Sequence, residues 1–245
     1  MSKRIKFFLG HLTISLAIAL FFIAVVFFIW YPTPLAKAVG VTQIFLMLVA
    51  IDVVIGPFLT LLVYKEGKKT LKMDLAVIIL IQIFALGYGV FNIAQGRPAW
   101  IVYDNAGRFD LVRNNEIETG DIAQAQKAYQ KASWLKPQIV ALKKEKSIET
   151  QNKQLFEDLS KGIIPTMHPE RYTKLSDAKI ELLQNSEKID VLTNFNTKEA
   201  VDKTLNQYPT ADAWLPLKST NVDMVVLINK EKGEVVKIVD LRPWK

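Results

Sequence analysis

Cysteine is absent from all 245 residues. That excludes disulfides, thiolate nucleophiles and cysteine-ligated metals. Histidine is nearly absent: His11 and His168 are the only two. A zinc centre needs three or four ligands, and the polar part of the chain holds one histidine. His168, in Met167-His168-Pro169-Glu170-Arg171, reads as a solvated loop histidine beside proline. The sequence has no Gly-x-Ser-x-Gly elbow, no His-Glu-x-x-His and no nucleotide-binding glycine loop. Gly67-Lys68-Lys69-Thr70 lacks the earlier glycine and the Gly-Lys-Ser/Thr run of a phosphate loop. No spacing supports a carboxylate-only metal site, so no catalytic residue, cofactor or metal is expected.

Charge is missing from long stretches near the N-terminus. Phe7 to Trp30 contains no Asp, Glu, Lys or Arg, the stretch from about 38 to 64 contains only Asp52, and that from about 75 to 93 contains none. A helix rises ~1.5 Å per residue, so roughly 20 apolar residues cross a bilayer core of about 30 Å. All three runs are long enough, and they are apolar all round, as contact with lipid requires. A cleaved signal peptide is the competing reading of residues 1–38, with Ala36-Lys37-Ala38 as the cleavage triplet. Its apolar core would be only about 7–15 residues long, however, and Pro32 and Pro34 end a run of full spanning length.

Lys3, Arg4 and Lys6 precede the first run, and Lys65, Lys68, Lys69 and Lys72 lie between the second and third, whereas Tyr31 to about Val39 holds only Lys37. Cytoplasmic loops are enriched in Lys and Arg. The N-terminus and the second loop are therefore expected inside, and the first loop and the C-terminal part outside. Trp30, Tyr31, Tyr64 and Trp100 fall near the expected interfaces, where aromatic rings are favoured. Residues 1–95 carry eight basic and three acidic residues (+5), residues 96–245 carry 23 and 21 (+2), and together they give the net +7. The excess is thus mostly a topology and lipid-contact signal. The outer part has no basic stripe, so nucleic acid is not an expected partner.

Residues 96–245 read as one α+β domain. Ala99–Tyr103 and Arg108–Arg113 flank the turn Asp104-Asn105-Ala106-Gly107 as a hairpin. Asp223–Asn229 and Glu234–Leu241 flank Lys230-Glu231-Lys232-Gly233 as another. Helices are expected at 121–134, 147–161 (Ser147 as N-cap, Gly162 past the end), 176–185 and 197–207 (Asn196 as N-cap). Short strands are expected at 138–142, 189–193 and 214–218, and Pro216 would confine the last to a sheet edge.

Asp52 needs a reason, because a mid-helix carboxylate costs ~2.5–3.5 kcal/mol on insertion scales. Gly56-Pro57 follows about one turn later. Proline frees a backbone carbonyl and glycine lets another helix approach. Asp52, Gly56 and Pro57 are therefore candidates for contact with a partner helix. The alternative is an internal hydrogen bond to Gln82 on the third helix; proton or ion transport is a third reading. Gly87-Tyr88-Gly89 would allow close packing of that helix, or reflect ordinary glycine tolerance. Arg242 and Trp244 form a candidate tail contact. Their structural alternative is that Trp244 covers the core while Arg242 pairs with an acid.

Several blocks carry a resemblance in combination: Phe28-Ile29-Trp30-Tyr31-Pro32-Thr33-Pro34-Leu35; Val49-Ala50-Ile51-Asp52-Val53-Val54-Ile55-Gly56-Pro57-Phe58-Leu59-Thr60-Leu61; the lysine loop from Lys65 to Leu75; Gln95-Gly96-Arg97-Pro98; and the stretch from Asp223 to Asp240-Leu241-Arg242-Pro243-Trp244. With them the chain resembles the type IV pilin accessory proteins of the TfpX/TfpZ type, also called FimB-like fimbrial assembly proteins. The middle, roughly 115–215, carries little of it. The resemblance implies a non-enzymatic bacterial inner-membrane protein that assists a cognate major pilin in a chaperone-like way, with other pilus assembly proteins as further partners. A pilin waits in that membrane as one apolar helix with a periplasmic head. Three helices and an outer domain would serve those two parts. Two other classes compete. An envelope enzyme would use an acid cluster such as Glu116, Glu118 and Asp121, which reads more simply as a solvated turn. A ligand sensor would need a cytoplasmic output module, and the longest segment expected inside has about ten residues.

Overall fold

A computed structural model of the chain describes residues 1–145 and 147–245, which divide into two compact units. The first comprises Met1–Ile29 and Gly40–Gly96, and the second Trp30–Val39 and Arg97–Lys245. Trp30–Val39, expected as a loop between the first two spanning helices, belongs to the outer unit.

The first unit is built on α1 (Lys3–Ala24, continued by a wider π-helical turn over Val25–Trp30), with α3 (Val41–Val63) and α4 (Leu71–Gln95) following; α2 (Leu35–Ala38) lies in the other unit. These three helices are long and apolar enough to cross a membrane. Consecutive helices run antiparallel. His11 pairs with Thr60 and Phe27 with Phe45 between α1 and α3, and Lys3 pairs with Glu66 in the loop after α3. Gln82 meets Asp52 between α4 and α3. Glycine sets the α3–α4 approach. A Cβ at Gly89 would stand 2.5 Å from Leu48 Cδ2, and one at Gly56 1.8 Å from Gln82 Nε2, whereas Gly87 faces open space. Of the two glycines flanking Tyr88, one therefore belongs to the packing. Apolar side chains cover most of the outward surface, including Phe21, Phe28, Ile51, Val54, Ile81 and Phe84.

The second unit is a mixed sheet with helices on it. Its strands are β1 (Pro98–Asp104), β2 (Arg108–Arg113), β3 (Gln138–Leu142), β4 (Tyr172–Thr173), β5 (Glu187–Lys188), β6 (Ala213–Lys218), β7 (Met224–Asn229) and β8 (Glu234–Val239). They line up as β4-β3-β1-β2-β6-β7-β8, with β5 added to β6. β1–β2, β3–β4, β5–β6, β6–β7 and β7–β8 are antiparallel; β1–β3 and β2–β6 are parallel. Side chains alternate across a strand, so both faces can be buried by alternate residues. Ile101, Tyr103, Leu215, Leu217, Met224 and Val226 build one core. On the opposite face Trp100, Val102, Val140 and Tyr172 build a second, and Trp214, Val225 and Leu227 a third. Helix α6 (Lys179–Asn185) contributes Leu182 to the first core, and α7 (Lys198–Gln207) contributes Val201 to the third.

Several local expectations change. Residues 121–134 hold only a short 3-10 turn, Ile122–Gln124. Ala125 and Tyr129 are drawn onto the sheet, Tyr129 packs edge-on against Trp100 and Tyr172, and Gln130 Nε2 donates to the Ala123 and Ala125 carbonyls. Tertiary packing overrides a good helical composition. Residues 189–193 are likewise not a strand. Ile189, Leu192 and Phe195 recur every third residue, the period of the 3-10 turn they form, and all join the third core. Helix α7 is capped by Thr197, whose side chain accepts from Ala200 N; Asn196 instead bonds the backbone of Arg242 at both N–H and C=O.

Pro216 is not on an edge strand, because β6 lies between β2 and β7. Along one side of β6, residues 213 and 214 pair with β5 and residues 217 and 218 with β2. Pro216 sits at the change of partner, where that side has no ladder position to fill. Helix α5 (Ile148–Lys161) has the expected caps, Ser147 and a left-handed Gly162.

Candidate functional site

The polar residues of the membrane helices converge. A cavity of about 660 Å³ lies among α1, α3 and α4, lined by Lys6, His11, Ser15, Asp52, Thr60 and Gln82 together with apolar side chains such as Ile18, Ile79 and Leu86. Its volume falls in the range of about 300–1,000 Å³ typical of ligand clefts. His11 Nδ1 lies 2.7 Å from Thr60 Oγ1. Deeper, Gln82 Nε2 donates to the Asp52 backbone carbonyl at 3.1 Å. Gln82 Oε1 is buried and accepts no hydrogen bond within the described residues.

The local sequence explains this arrangement. Pro57 has no N–H, so the carbonyl of Val53 lacks its normal helical donor. Gln82 docks one residue earlier, against the glycine that leaves room for it. Asp52, Gly56 and Gln82 are therefore one assembly. The expected internal partner of Asp52 is present: Gln82 bonds its backbone carbonyl, and both residues line the cavity. Gly56 and Pro57 are both buried.

At the C-terminus, Arg242 is committed. Its guanidinium donates to the Asp223 carbonyl and pairs with Asp240, while Trp244 Nε1 donates to Asp223 Oδ2 at 3.0 Å and the indole stays 40% exposed. Arg242 thus pairs with an acid, while Trp244 is tied to Asp223 and remains partly exposed. Trp244 borders a cavity of about 410 Å³ with Phe195, Trp214 and Pro216.

His168 is not a solvated loop residue. It is 4% exposed, with Nε2 3.1 Å from Asp158 and Nδ1 2.9 Å from Glu170. Arg171 grips Asp158 with both terminal nitrogens, at 2.7 and 2.9 Å. This network pins α5, whose only buried residue is Asp158. It does not gather its acids around one point, and among the described residues no His/Asp/Glu group has a metal-holding arrangement. The proposed acid trio is occupied locally: Glu116 with Arg113, Glu118 with Gly120 N, Asp121 with Gln124.

The feature that the sequence reading missed is Trp30–Val39. Tyr31 is 1% exposed, and Leu35 and Ala38 belong to the first sheet core. The Ala38 carbonyl accepts from Ser219 Oγ at 2.6 Å and from the N–H groups of Asn221 and Val222 at 3.0 Å each. Lys37 pairs with Asp240 at 2.6 Å. Tyr31 and Trp100 are thus core residues and not interface rings. The two prolines, read only as a helix stop, deliver an apolar Leu-Ala-Lys-Ala turn to a core.

Comparison with known proteins supplies the context. The family model described as "Fimbrial assembly protein FimB" matches residues 1–40, the first helix and this strap. A "Fimbrial assembly protein, serogroups C1 and C2" of Dichelobacter nodosus is 35% identical over 96 residues, 38% of this chain and 73% of the relative. This chain belongs to the FimB-type fimbrial assembly proteins. The "serogroup I" and "serogroup E1" fimbrial assembly proteins of the same organism are 26% and 25% identical over 229 residues, which is 90% of this chain and 88% of each relative. The similarity to FimB-type proteins therefore runs through the outer unit as well as the helices. The kinship is with assembly proteins and not with enzymes. No solved structure matches.

Proposed function

We propose that this FimB-type protein is an accessory factor of type IV pilus biogenesis that sits in the bacterial inner membrane and assists a cognate major pilin. The N-terminus and the lysine loop face the cytoplasm. The membrane domain extends to about residue 95, and the domain from 96, with the strap built into it, is periplasmic. The observation that carries the reading is the kinship with the Dichelobacter fimbrial assembly proteins over nine-tenths of the chain. The polar cavity supplies a mechanism.

The pilin's apolar helix packs against the Asp52–Pro57 face, and its amino terminus lies near Asp52. A second carboxylate would be repelled there unless protonated or bridged, whereas an ammonium is attracted. Gln82 Oε1 is a further acceptor for it. The periplasmic unit, through the exposed face of Trp244 among other groups, touches the pilin head. The action is chaperone-like: it holds pilin until assembly and excludes wrong contacts.

The test is crosslinking of pilin to the cavity wall, alongside surface piliation, in Asp52→Asn. Loss of both is expected; unchanged crosslinking and piliation would exclude the contact. Immunoblots of total and sheared-surface pilin with and without the gene separate two modes of help. Normal total pilin with lost surface pilin means assembly or extraction, and loss of both means stabilisation. If neither changes, the pilus reading fails.

A further inference from the structure

Trp134 and Leu135 form an apolar knuckle, 55% and 66% exposed, on a loop with Lys131 before it and Lys136 after it. The loop is anchored at its base. The Arg97 guanidinium lies 4.3 Å from the Trp134 ring centroid, and Arg97 Nη2 donates to the Ser133 carbonyl at 3.5 Å. Leu135 N donates to Ser133 Oγ at 3.1 Å, and the Trp30 ring stands 6.4 Å from that of Trp134.

The two residues that hold the knuckle are informative. Trp30 is the last residue of the first candidate span, and Arg97 comes two residues after Gln95, the last of the third. Covalent connection alone therefore keeps both at the boundary of the bilayer. A group that rests on both must lie at that level too. Indole rings favour this zone because one end is apolar and the other wet, and lysines there reach anionic headgroups.

We propose that the Trp134-Leu135 knuckle inserts into the lipid interface of the outer leaflet, with Lys131 and Lys136 on the headgroups, and so fixes the outer domain against the membrane. The occupant is phospholipid, and the proposal rests on the membrane reading but not on the pilin one. Arg97, buried at 3%, acts as the positioning residue of the knuckle.

The cysteine-free chain permits a direct test. A nitroxide is attached to full-length Leu135→Cys, to Ile180→Cys (an apolar side chain 70% exposed in the outer unit) and to Ile51→Cys (53% exposed, on α3). Each is reconstituted in phosphatidylethanolamine–phosphatidylglycerol vesicles. Collisions with oxygen should exceed those with a water-soluble nickel complex at 135 and 51, and the order should reverse at 180. Lipid contact at 51 with water contact at 135 overturns the knuckle alone. Water contact at both overturns the membrane reading and the knuckle with it. Shielding of 135 from both reagents, with spin–spin broadening, would mean a second copy covers it and would also overturn the proposal. In Arg97→Gln, a looser knuckle should show as a more mobile spectrum at 135, while that at 180 is unchanged.

Discussion

At the scale of single residues, burial and partners separate groups of the same type. Asp52 and Asp158 are both carboxylates on helices. Asp158 is 2% exposed and clamped by Arg171, and its work is to hold α5 in place. Asp52 instead lines the cavity among the membrane helices, and the contact role proposed for it rests on that position. Glu170 shows how the buried network responds to pH. Burial alone would raise its pKa, but the His168 hydrogen bond, its own backbone and the charges of His168 and Arg171 outweigh that and hold it below the usual carboxylate range. A carboxyl whose folded pKa is depressed contributes stability above its unfolded value, near 4.3 for Glu, and that contribution is lost as pH falls through the folded value. Denaturation midpoints followed from pH 6 down to about 3 should therefore fall less steeply in Glu170→Gln than in the parent; parallel curves would show that Glu170 is not part of the acid response. The sequence showed His168 beside proline and suggested solvent. Only Asp158 and Arg171, brought in from 10 residues before and three after, make the position a buried one.

At the scale of elements, the strap of residues 30–39 is the least expected piece. Between two spanning helices a ten-residue segment reads as a connector. Here its Leu35 fills the core against β6 and β7, and the Ala38 carbonyl closes the loop before β7. Leu35→Ala removes a side chain that is 3% exposed. It should cost the outer domain about 2–5 kcal/mol, the range for leucine truncation in a packed core. Chemical denaturation followed by tryptophan fluorescence checks this, and a change of only a few tenths would mean that the strap is dispensable. The same scale explains which expected elements formed. Helix α5 is specified locally, by Ser147, Gly162 and its own composition. The stretch 121–134 has comparable helix formers, yet Tyr129 gains more by packing between Trp100 and Tyr172. A one-dimensional pattern contains no information on that competition. The same applies to Pro216: its rule excludes it from a ladder position, and the exchange of β5 for β2 along β6 removes the position.

At the scale of the whole molecule, three apolar helices and a mixed α+β domain serve one purpose if the lysine loop is inside and the sheet outside. Single cysteines introduced at Lys69 and Glu231 test that arrangement. In intact cells with a permeable outer membrane, Glu231→Cys should react with an impermeant maleimide and Lys69→Cys should not. Reaction of Lys69→Cys before the inner membrane is opened would reverse the topology and remove the periplasmic contacts from the mechanism. Read alone, the sequence carried the three helices long and apolar enough to span a membrane and the α+β character of the remainder, and it singled out the Asp52–Pro57 stretch as one that needs a reason. These follow from composition, charge placement and the intrinsic cost of a carboxylate or proline in a helix, all of which are local. It took the folded molecule to show that Gln82 bonds the Asp52 backbone beside the cavity, that the strap belongs to the sheet, and that Trp134 stands on Trp30 and Arg97. Each of those joins residues tens to hundreds of positions apart, and such pairings depend on how surfaces fit once the elements meet.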